Sequence, residues 1–479
     1  MSLPVISVAQ MREWENATWA SGQTEAEVIR RVGKAVASHA LQLTRDGDFI
    51  LLLAGKGHNG DDVRAAREHL PQRRVKLLEV TDPKTALAEF VRCGTGILPD
   101  RDRLEACPTL IVDGLFGIGL NRSLDNDWIK FIEAVNESGI PVLAVDVPSG
   151  LNADTGESFG AVVRAMVTLT VGAPKRGLLS PAAWDLVGRL EIASDVGLVR
   201  CPHQNELNWT LPEDFSSFPP ARAAANHKGT FGHLAIIAGS LGYHGAAVLA
   251  TRAAQRARPG LVTVLPHEPV YFPIAAQLQS AMVRSWSPDK KLLDECSAVL
   301  VGPGLAAPDL PEEMKSAVRR QWRDYSGPMI MDASGLDWLA QGPTHNAIRV
   351  ITPHPGEAAR LLRASSKHIQ ANRVEAVREL SRRHGNCWVV LKGHQTLVGR
   401  SAGGVFVNSS GNAGLAQGGS GDALAGFLAG LLAQPALQAD PLKTIRYAVW
   451  QHGAAADWLE AAKPNWVVED LVEKLGAVG

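Results

Sequence analysis

Short apolar runs that end in glycine or aspartate, each followed by a helix-like stretch, constrain the fold of this chain more than any other feature. The first half contains five such runs, at 49–55, 74–80, 109–117, 141–150 and 166–172. The second half contains six, at 233–240, 261–267, 298–304, 328–335, 349–357 and 387–393. Apolar runs bounded by turn residues and alternating with amphipathic segments are typical of βαβ units in mostly parallel sheets. The sequence therefore predicts an α/β fold in both halves.

The two halves are separated by a segment with neither helical nor alternating periodicity. Residues 200–226 read RCPHQNELNWTLPEDFSSFPPARAAAN, which is polar and rich in proline. We interpret this segment as a junction. It predicts one domain over residues 1–210 and another over residues 221–479. No sequence repeat relates the halves, so two different α/β domains are expected.

Composition excludes several classes of protein. The chain has 48 Lys and Arg against 49 Asp and Glu, and this balance gives no support for a protein that binds nucleic acid or membrane surfaces. No apolar run approaches the ~20 residues of a transmembrane helix. Five widely spaced cysteines without a C-x-x-C pair argue against a zinc ribbon or a disulfide scaffold. We expect a cytoplasmic homo-oligomer that binds small molecules.

A glycine-rich segment, GKGHNGDD at 55–62, connects the first apolar run to a helix-like stretch. Glycines let such a turn direct backbone N–H groups at an anion, and the helix dipole adds to the attraction. The G-x-G-x-x-G spacing is present, but Asp61 and Asp62 differ from the small residues that usually open that helix. A turn without a ligand remains an equal alternative for this segment alone.

Asp113 and Asp146 each end an apolar run and are followed by glycine within a few residues. In a parallel sheet both carboxylates would lie at the carboxyl edge, where open α/β folds bind ligands. Each could instead cap a loop or a helix. Together with Asn59 and Ser149 on neighbouring turns, they form a set of hard oxygen donors suited to an alkali or alkaline-earth cation.

The strongest local signal is GNAGLAQGGSGDALAGFLAGL at 411–431, in which a Gly/Ser loop opens into a helix of small residues. Such a helix start favours a phosphate, and Asp422 in its first turn could bind a metal or accept a proton from a hydroxyl nucleophile. A helix cap with glycines for close packing explains only part of the pattern. Lys392 in LKGHQT and His354 in TPHPGE also follow strands. A solvated lysine and a turn histidine are the alternatives for these two.

Taken together, these motifs resemble the bifunctional NAD(P)H-hydrate repair enzymes. In that family an epimerase for NAD(P)HX, the hydrated form of NAD(P)H, is fused to an ADP-dependent (S)-NAD(P)HX dehydratase. The resemblance also includes VDGLFGIGLNR, DVPSGLNADTG, APKRGL, HKGTFGHLAIIAGS and GPGL, in the family's order. It implies a Rossmann-like domain followed by a ribokinase-like domain.

The resemblance also implies roles for residues of the first half. Asn59, Asp113 and Ser149 would ligate K⁺, and Asp146 would be the acid/base that epimerises C6 of the nicotinamide ring. The residues that would contact NADHX or NADPHX are His58, Asn59, Gly60, Asp61, Asp62, Gly117, Ile118, Gly119, Leu120, Asn121, Arg122, Ser123 and Asp146.

In the second half the resemblance places the S-epimer against Ala246, Gly304, His354 and Asp422. It places ADP, with Mg²⁺, against Lys392, Gly393, His394, Gln395, Thr396 and Gly421. Asp422 would deprotonate the C6 hydroxyl, the hydroxyl would take phosphate from ADP to leave AMP, and phosphate would then depart.

The chain departs from the family in two places. The usual N-G-G-D of the first loop reads N-G-D-D because Asp61 replaces a glycine, and the usual D-A-D reads D-A-S at 332–334. The first change predicts repulsion of a phosphate unless Asp61 points away or meets a cation. Two alternatives remain at this stage. One is a ribokinase-type small-molecule kinase with an accessory domain, and the other is a nucleotide-binding module whose first half no longer catalyses.

Overall fold

The computed structural model describes residues 2–95, 107–288 and 291–478. The chain divides into two compact units, Leu3–Asn205 and Glu206–Gly479. Both are α/β units with largely parallel sheets, which confirms the predicted fold class. Among the described residues, no helix has the length and apolar character needed to cross a membrane.

The first unit contains the elements β1–β7 and α1–α6. The strands are β1 (Leu3–Pro4), β2 (Phe49–Ala54), β3 (Arg74–Glu79), β4 (Leu110–Gly114), β5 (Val142–Val145), β6 (Val167–Val171) and β7 (Arg189–Ala193). The helices are α1 (Val8–Ala20), α2 (Glu25–Gln42), α3 (His58–Ala66), α4 (Pro83–Phe90), α5 (Asn126–Glu137) and α6 (Trp184–Val187).

The sheet of the first unit has the order β3-β2-β4-β5-β6-β7, and all its neighbouring strands are parallel. Ile50 and Leu52 of β2 pack towards α2 and α3, whereas Leu51 and Leu53 pack towards α4 and α5. Because both faces are covered, the strand is apolar throughout rather than alternating. The strand order reverses between β2 and β4, the position at which Rossmann-like sheets bind ligands.

The second unit contains β8–β17 and α7–α17. The strands are β8 (Leu207–Trp209), β9 (His233–Ile237), β10 (Leu261–Val264), β11 (Met282–Val283), β12 (Ala298–Val301), β13 (Met329–Met331), β14 (Arg349–Ile351), β15 (Trp388–Leu391), β16 (Leu397–Gly399) and β17 (Val405–Val407). The helices are α7 (His244–Arg256), α8 (Tyr271–Ala275), α9 (Lys291–Asp294), α10 (Glu312–Asp324), α11 (Pro355–Leu362), α12 (Ser366–Ala371), α13 (Arg373–Arg383), α14 (Ser420–Leu432), α15 (Pro435–Gln438), α16 (Pro441–Ala462) and α17 (Val468–Lys474).

The sheet of the second unit is parallel from β11 through β10, β9, β12, β13 and β14 to β15. Beyond β15, the strands β16 and β17 pair in antiparallel fashion, and β17 pairs with β8 in parallel. The ends of β13, β14 and β15 therefore lie at one carboxyl edge, where open α/β sheets bind ligands.

The division between the units falls earlier than the sequence indicated. Residues 200–226 do not form a continuous linker, because Leu207–Trp209 pairs with Val405–Val407. Trp209 and Phe215 are also buried, and Phe215 belongs to the main core of the second unit. The end of the predicted first domain, 206–210, therefore lies in the second unit.

The small residues of α14 are explained by close helix packing. A Cβ atom added at Gly426 would lie 2.0 Å from the carbonyl oxygen of Ala250 in α7, and one at Gly430 would lie 2.5 Å from that of Ala254. Side chains at these two positions would force the helices apart. The glycines within α14 thus serve packing, and this leaves the start of the helix as the part available for a ligand.

Candidate active sites

The first candidate site begins at the glycine-rich turn between β2 and α3. A Cβ atom at Gly55 would lie 2.0 Å from the carbonyl oxygen of Leu115, and one at Gly60 would lie 2.1 Å from that of Gly55. Glycine is therefore required for the turns after β2 and β4 to approach each other. Helix α3 starts at His58 after Gly57, and no side chain caps it. Its first N–H groups are available to an anion.

A cavity of about 680 Å³ opens at this turn. Most of the sequence-predicted substrate residues line it, namely His58, Asn59, Asp62, Gly117, Ile118, Gly119, Leu120, Asn121, Arg122 and Asp146. The structure does not place the other three in the lining. Gly60 packs beneath the turn, Asp61 pairs with Arg64, and Ser123 is exposed.

The three predicted cation ligands converge on Phe116. Asp113, which is wholly buried, accepts hydrogen bonds from Oγ of Ser149 at 2.6 Å and from its N–H at 2.9 Å. The same Oγ accepts from the N–H of Phe116 at 2.9 Å. The Nδ2 of Asn59 donates to the carbonyl oxygen of Phe116 at 3.0 Å.

The electrostatics of this cluster suit a hard cation. Burial raises the pKa of Asp113, while the hydrogen bonds from Ser149 and Leu115 act in the opposite direction. The Oδ1 of Asn59 is buried and has no hydrogen-bond partner among the described residues. An unsatisfied buried acceptor costs ~1–3 kcal/mol, and a cation bound here would satisfy it. The oxygen donors present therefore fit K⁺.

Asp146 lies beside the cluster and is held by a buried lysine. The Nζ of Lys175 donates to Oδ1 of Asp146 at 2.6 Å, to Oγ1 of Thr170 at 3.0 Å and to the carbonyl oxygen of Val171 at 2.8 Å. Asp146 also has a φ of +63°, a left-handed conformation that is uncommon outside glycine and is often found at functional sites. The sequence analysis did not single out Lys175, although a lysine four residues after a buried strand, in APKRGL, was a signal.

Three further carboxyl groups line the same cavity, those of Glu15, Glu25 and Asp62. Burial, together with the negative charges of Asp146, Asp61 and Glu15, raises the pKa of Asp62 well above its ordinary value. Burial and Asp146 also raise the pKa of Glu15, which sequence reasoning did not single out. Glu25, the fourth carboxyl group in the lining with Asp146, pairs with His58, so the four groups have different electrostatic surroundings.

The additional carboxylate in the first loop meets a cation. The Nη1 of Arg64 donates to Oδ1 of Asp61 at 2.8 Å. The same guanidinium binds both carboxylate oxygens of Glu79 and the carbonyl oxygen of Gly55. Asp61 is therefore turned towards Arg64 and lies outside the cavity lining. This is one of the two outcomes considered for Asp61.

The second candidate site lies at the carboxyl ends of β13, β14 and β15. The Nζ of Lys392 is 2.8 Å from Oδ1 of Asp332 and 3.9 Å from Oε2 of Glu357. Oγ1 of Thr352 donates to the same Oδ1 of Asp332 at 2.6 Å. Burial opposes the charge of Lys392, but the carboxylates of Asp332, Glu357 and Asp422 outweigh burial and raise its pKa.

Asp422 and the start of α14 complete this cluster. Burial and the negative charge of Asp332 raise the pKa of Asp422 to about 7, while Lys392 acts in the opposite direction. A Cβ atom at Gly421 would lie 3.3 Å from Nζ of Lys392, so the glycine stands directly over the ammonium group. The structure therefore brings together Asp422, Gly421 and Lys392 from motifs that are 30 residues apart in sequence.

His354 directly precedes α11 and is its N-cap residue. Its Nδ1 accepts hydrogen bonds from the N–H groups of Gly356 and Glu357, so the proton of a neutral ring is on Nε2. The alternative of a turn histidine with a backbone hydrogen bond is thus present. The side chain is half-exposed, and its Nε2 lies 3.5 Å from Oε1 of Glu357. Glu357 itself is buried and was missed by sequence reasoning.

The other predicted residues of the second half lie in two groups. A Cβ atom at Gly304, where φ is +67°, would lie 3.0 Å from Cβ of Ala246. The loop of Gly393, His394, Gln395 and Thr396 follows β15, and Oγ1 of Thr396 donates to the carbonyl oxygen of Gly393. Arg373, which sequence reasoning missed, donates to the carbonyl oxygens of Leu391 and His394 and so fixes this loop.

Among the described residues, no group of three or more His, Cys, Asp and Glu side chains is arranged to hold a metal ion. This finding does not bear on the oxygen cluster around Phe116, since that cluster has only one such side chain.

Two family models match the chain. The model described as "NAD(P)H-hydrate dehydratase" matches residues 234–476, and "YjeF-related protein N-terminus" matches residues 25–177. The first match contains every predicted residue of the second site, and the second contains every predicted residue of the first site.

Several known bifunctional NAD(P)H-hydrate repair enzymes are similar to this chain over nearly its whole length. A bifunctional NAD(P)H-hydrate repair enzyme of Coxiella burnetii is 35% identical over 463 residues, which cover 94% of this chain and 93% of that protein. One of Escherichia coli is 34% identical and covers 92% of this chain and 86% of that protein. A ribokinase-like superfamily protein of Enterococcus faecalis covers 57% of this chain and 97% of its own, at 26% identity and a TM-score of 0.50.

Proposed function

Because the chain belongs to the family of bifunctional NAD(P)H-hydrate repair enzymes, we propose that each unit performs one step of this repair. The first unit interconverts R- and S-NAD(P)HX, and the second dehydrates the S-epimer to NAD(P)H with ADP as phosphate donor. A kinase that leaves a stable phosphate ester is less well supported, since relatives matched over nearly the full chain carry the repair description.

The placement of Asp422 in the first turn of α14, largely buried and close enough to Lys392 to affect its pKa, is the observation that carries the dehydratase proposal, and the pKa of Asp422 is raised to about 7. A carboxylate with this pKa can accept the proton of the C6 hydroxyl near neutral pH, as a general base should. The hydroxyl oxygen then attacks the β-phosphorus of ADP, and AMP leaves. Loss of the C5 proton and cleavage of the C6–O bond release phosphate and form the C5–C6 double bond of NAD(P)H.

The positions of the other residues support this division of roles. Lys392 and Gly421 adjoin at the start of α14, where an ammonium group and free N–H groups favour the phosphates of ADP. The loop from Gly393 to Thr396 continues from Lys392 along the same nucleotide. Ala246, Gly304 and His354 would hold the S-epimer against Asp422. Mg²⁺ would arrive with ADP and neutralise charge on the transferred phosphoryl group.

For the first unit, the cavity of about 680 Å³ would hold NAD(P)HX, with Asp146 as acid/base at C6. Asn59, Asp113 and Ser149 would hold K⁺, with the orphaned Oδ1 of Asn59 as the observation in favour. A potassium ion would supply positive charge beside the loop 117–123, where the nucleotide phosphates approach. The five cysteines are free thiols, which supports a cytoplasmic location.

The test uses purified full-length protein with the pure S-epimer and ADP. Equal amounts of NAD(P)H, AMP and phosphate should form, and Asp422→Asn should slow the reaction by ~10²–10⁴-fold. Glu469→Gln, an exposed carboxyl change on α17, is the matched control and should retain activity. A stable phosphorylated product without NAD(P)H would support the kinase alternative instead. Wild-type turnover by Asp422→Asn would remove Asp422 from the mechanism.

A further inference from the structure

We propose that Asp62 is the general acid of the first unit, which protonates the C6 hydroxyl as it leaves, while Asp146 accepts a proton from the water that adds to the opposite face. This inference rests on the proposed epimerase function and deepens it by assigning a second catalytic carboxyl group. It also predicts the route of the reaction, through loss and addition of water at C6 rather than opening of the ring.

The geometry gives the two carboxyl groups opposite surroundings in one cavity. Asp62 is the fifth residue of α3, is 8% exposed and lines the cavity. Within the described residues, it has neither an ion-pair partner nor a side-chain hydrogen bond. Asp146 lines the same cavity but is bound by the buried ammonium group of Lys175. Carboxyl pairs whose environments differ in this way are typical of acid and base partners in active sites.

The charges around Asp62 favour its neutral form. Burial is the largest cause that raises its pKa, followed by the carboxylates of Asp146, Asp61 and Glu15. Two nearby cations are engaged elsewhere, because Lys175 binds Asp146 and Arg64 binds Asp61. His58 pairs with Glu25. The other cationic side chains of the lining are those of Arg12, Lys56 and Arg122, and none of them contributes to the shift in the pKa of Asp62. A neutral carboxylic acid can donate a proton, whereas Asp146 beside its lysine is placed to accept one.

The proposed steps balance in atoms and charge. Asp62 gives its proton to the C6 hydroxyl, the C6–O bond breaks, and water leaves as the ring nitrogen forms a C6–N1 iminium. Water from solvent then adds to the other face of C6, and its proton passes to Asp146. The proton returns from Asp146 to Asp62 through solvent, and the reverse reaction uses the two groups in the opposite order. No oxidant, reductant or second substrate is needed.

The first test compares Asp62→Asn with Glu68→Gln in the full-length protein. Glu68 is an exposed carboxyl in the turn that follows α3 and has no place in either site. Asp62→Asn should reduce R-to-S epimerisation by ~10²–10⁴-fold, whereas Glu68→Gln should not change it. Dehydration of the pure S-epimer reports on the second unit and should be unchanged in both variants. Normal epimerisation by Asp62→Asn would overturn the proposal.

Two readouts separate an acid from a merely structural residue. Epimerase kcat/KM should fall as pH rises through the raised pKa of Asp62, because the protonated form is the active one. In H₂¹⁸O, each epimerisation catalysed by the wild-type protein should place one solvent oxygen on C6. Retention of the original oxygen would contradict loss of water and overturn the proposal.

The third readout does not depend on activity. The folded pKa of Asp62 is raised above the ordinary ~3.9, so wild-type stability falls as pH rises from about 4 towards the folded pKa. Asp62→Asn should remove this loss and be the more stable protein at neutral pH, with little difference near pH 4. A less stable Asn variant at neutral pH would overturn the proposal. If the wild-type protein lacks epimerase activity while this difference is found, the epimerase function fails and the neutral state of Asp62 stands.

Discussion

The ammonium nitrogen of Lys175 lies 2.6 Å from Oδ1 of Asp146, and the lysine side chain is wholly buried. Asp146 follows β5 and Lys175 follows β6, so the contact joins the carboxyl ends of two neighbouring strands. The pair therefore holds Asp146 in its left-handed conformation at the wall of the cavity. Asp146 also has to remain at a fixed place for acid/base chemistry at C6.

Lys175→Met should destabilise the first unit strongly, because it leaves the buried carboxylate of Asp146 without a cation. Loss of one partner of a buried pair typically costs ~3–5 kcal/mol. Chemical denaturation of the variant measures this change in the free energy of unfolding. The control is Lys84→Met, which breaks the exposed pair with Asp127 and should cost at most ~1 kcal/mol. Equal losses of stability in the two variants would show that the charge of Lys175 is not needed. The double variant Lys175→Met/Asp146→Asn should regain part of the free energy of unfolding, because it removes the unpaired carboxylate.

Arg64→Ala should weaken binding of NAD(P)HX to the first unit by about tenfold, equivalent to ~1.4 kcal/mol. The guanidinium of Arg64 binds Asp61 and Glu79, and its removal leaves two carboxylates beside the loop that nucleotide phosphates approach. Adding Asp61→Gly to this variant should restore much of the affinity. Isothermal titration at low and high salt measures both variants. Unchanged affinity in Arg64→Ala would show that the loop tolerates the charge of Asp61 without a cation.

The dehydratase should lose kcat/KM as pH falls through about 7, because Asp422 acts as a base only when deprotonated. Two neighbours should shift this acidic limb in opposite directions at saturating ADP. Lys392→Met removes the charge that lowers the pKa of Asp422, so the limb should move to higher pH. Asp332→Asn removes a charge that raises it, so the limb should move to lower pH. Shifts in the same direction would contradict the electrostatic account of the site.

The second unit should fold and dehydrate the S-epimer as a separate fragment, provided that the fragment begins at Glu206. A fragment that begins at Ala221 lacks β8 and the buried side chains of Trp209 and Phe215. It should therefore melt at a lower temperature than the longer fragment, and calorimetry of the two measures the difference. Identical melting temperatures would show that residues 206–220 do not contribute to the second unit.

The sequence predicted most of the parallel strands, because buried parallel strands are continuous apolar runs that end in turn residues. The parallel strands β7 (Arg189–Ala193) and β11 (Met282–Val283) were not predicted. The sequence also did not predict β8, β16 or β17. These strands have only three residues each, and their stability depends on pairing with distant segments. The division of the units at Asn205 was not anticipated for the same reason, since Leu207–Trp209 lies in a polar segment and its strand depends on pairing with Val405–Val407.

The site residues also fall into those that a local motif predicts and those that depend on distant contacts. Asp422 and Asn59 lie in motifs that are recognisable locally, whereas Lys175, Glu15 and Glu357 act through contacts with residues far away in sequence. Nothing near Glu15 in α1 indicates that its carboxyl group reaches a cavity formed after β2, β4 and β5. The pairing of Asp61 with Arg64 could have been anticipated from their spacing of three residues on one helix, which places two side chains on the same face.

The most direct test of the account is the repair of mixed NADHX epimers by the full-length protein with excess ADP, followed by the absorbance of the restored dihydronicotinamide. If both units act, the absorbance should rise until all of the hydrate, R and S, has been converted. With the second unit alone, rapid conversion should stop once the S-epimer has been consumed. A full-length protein that converts the R-epimer no faster than the second unit alone would contradict the account.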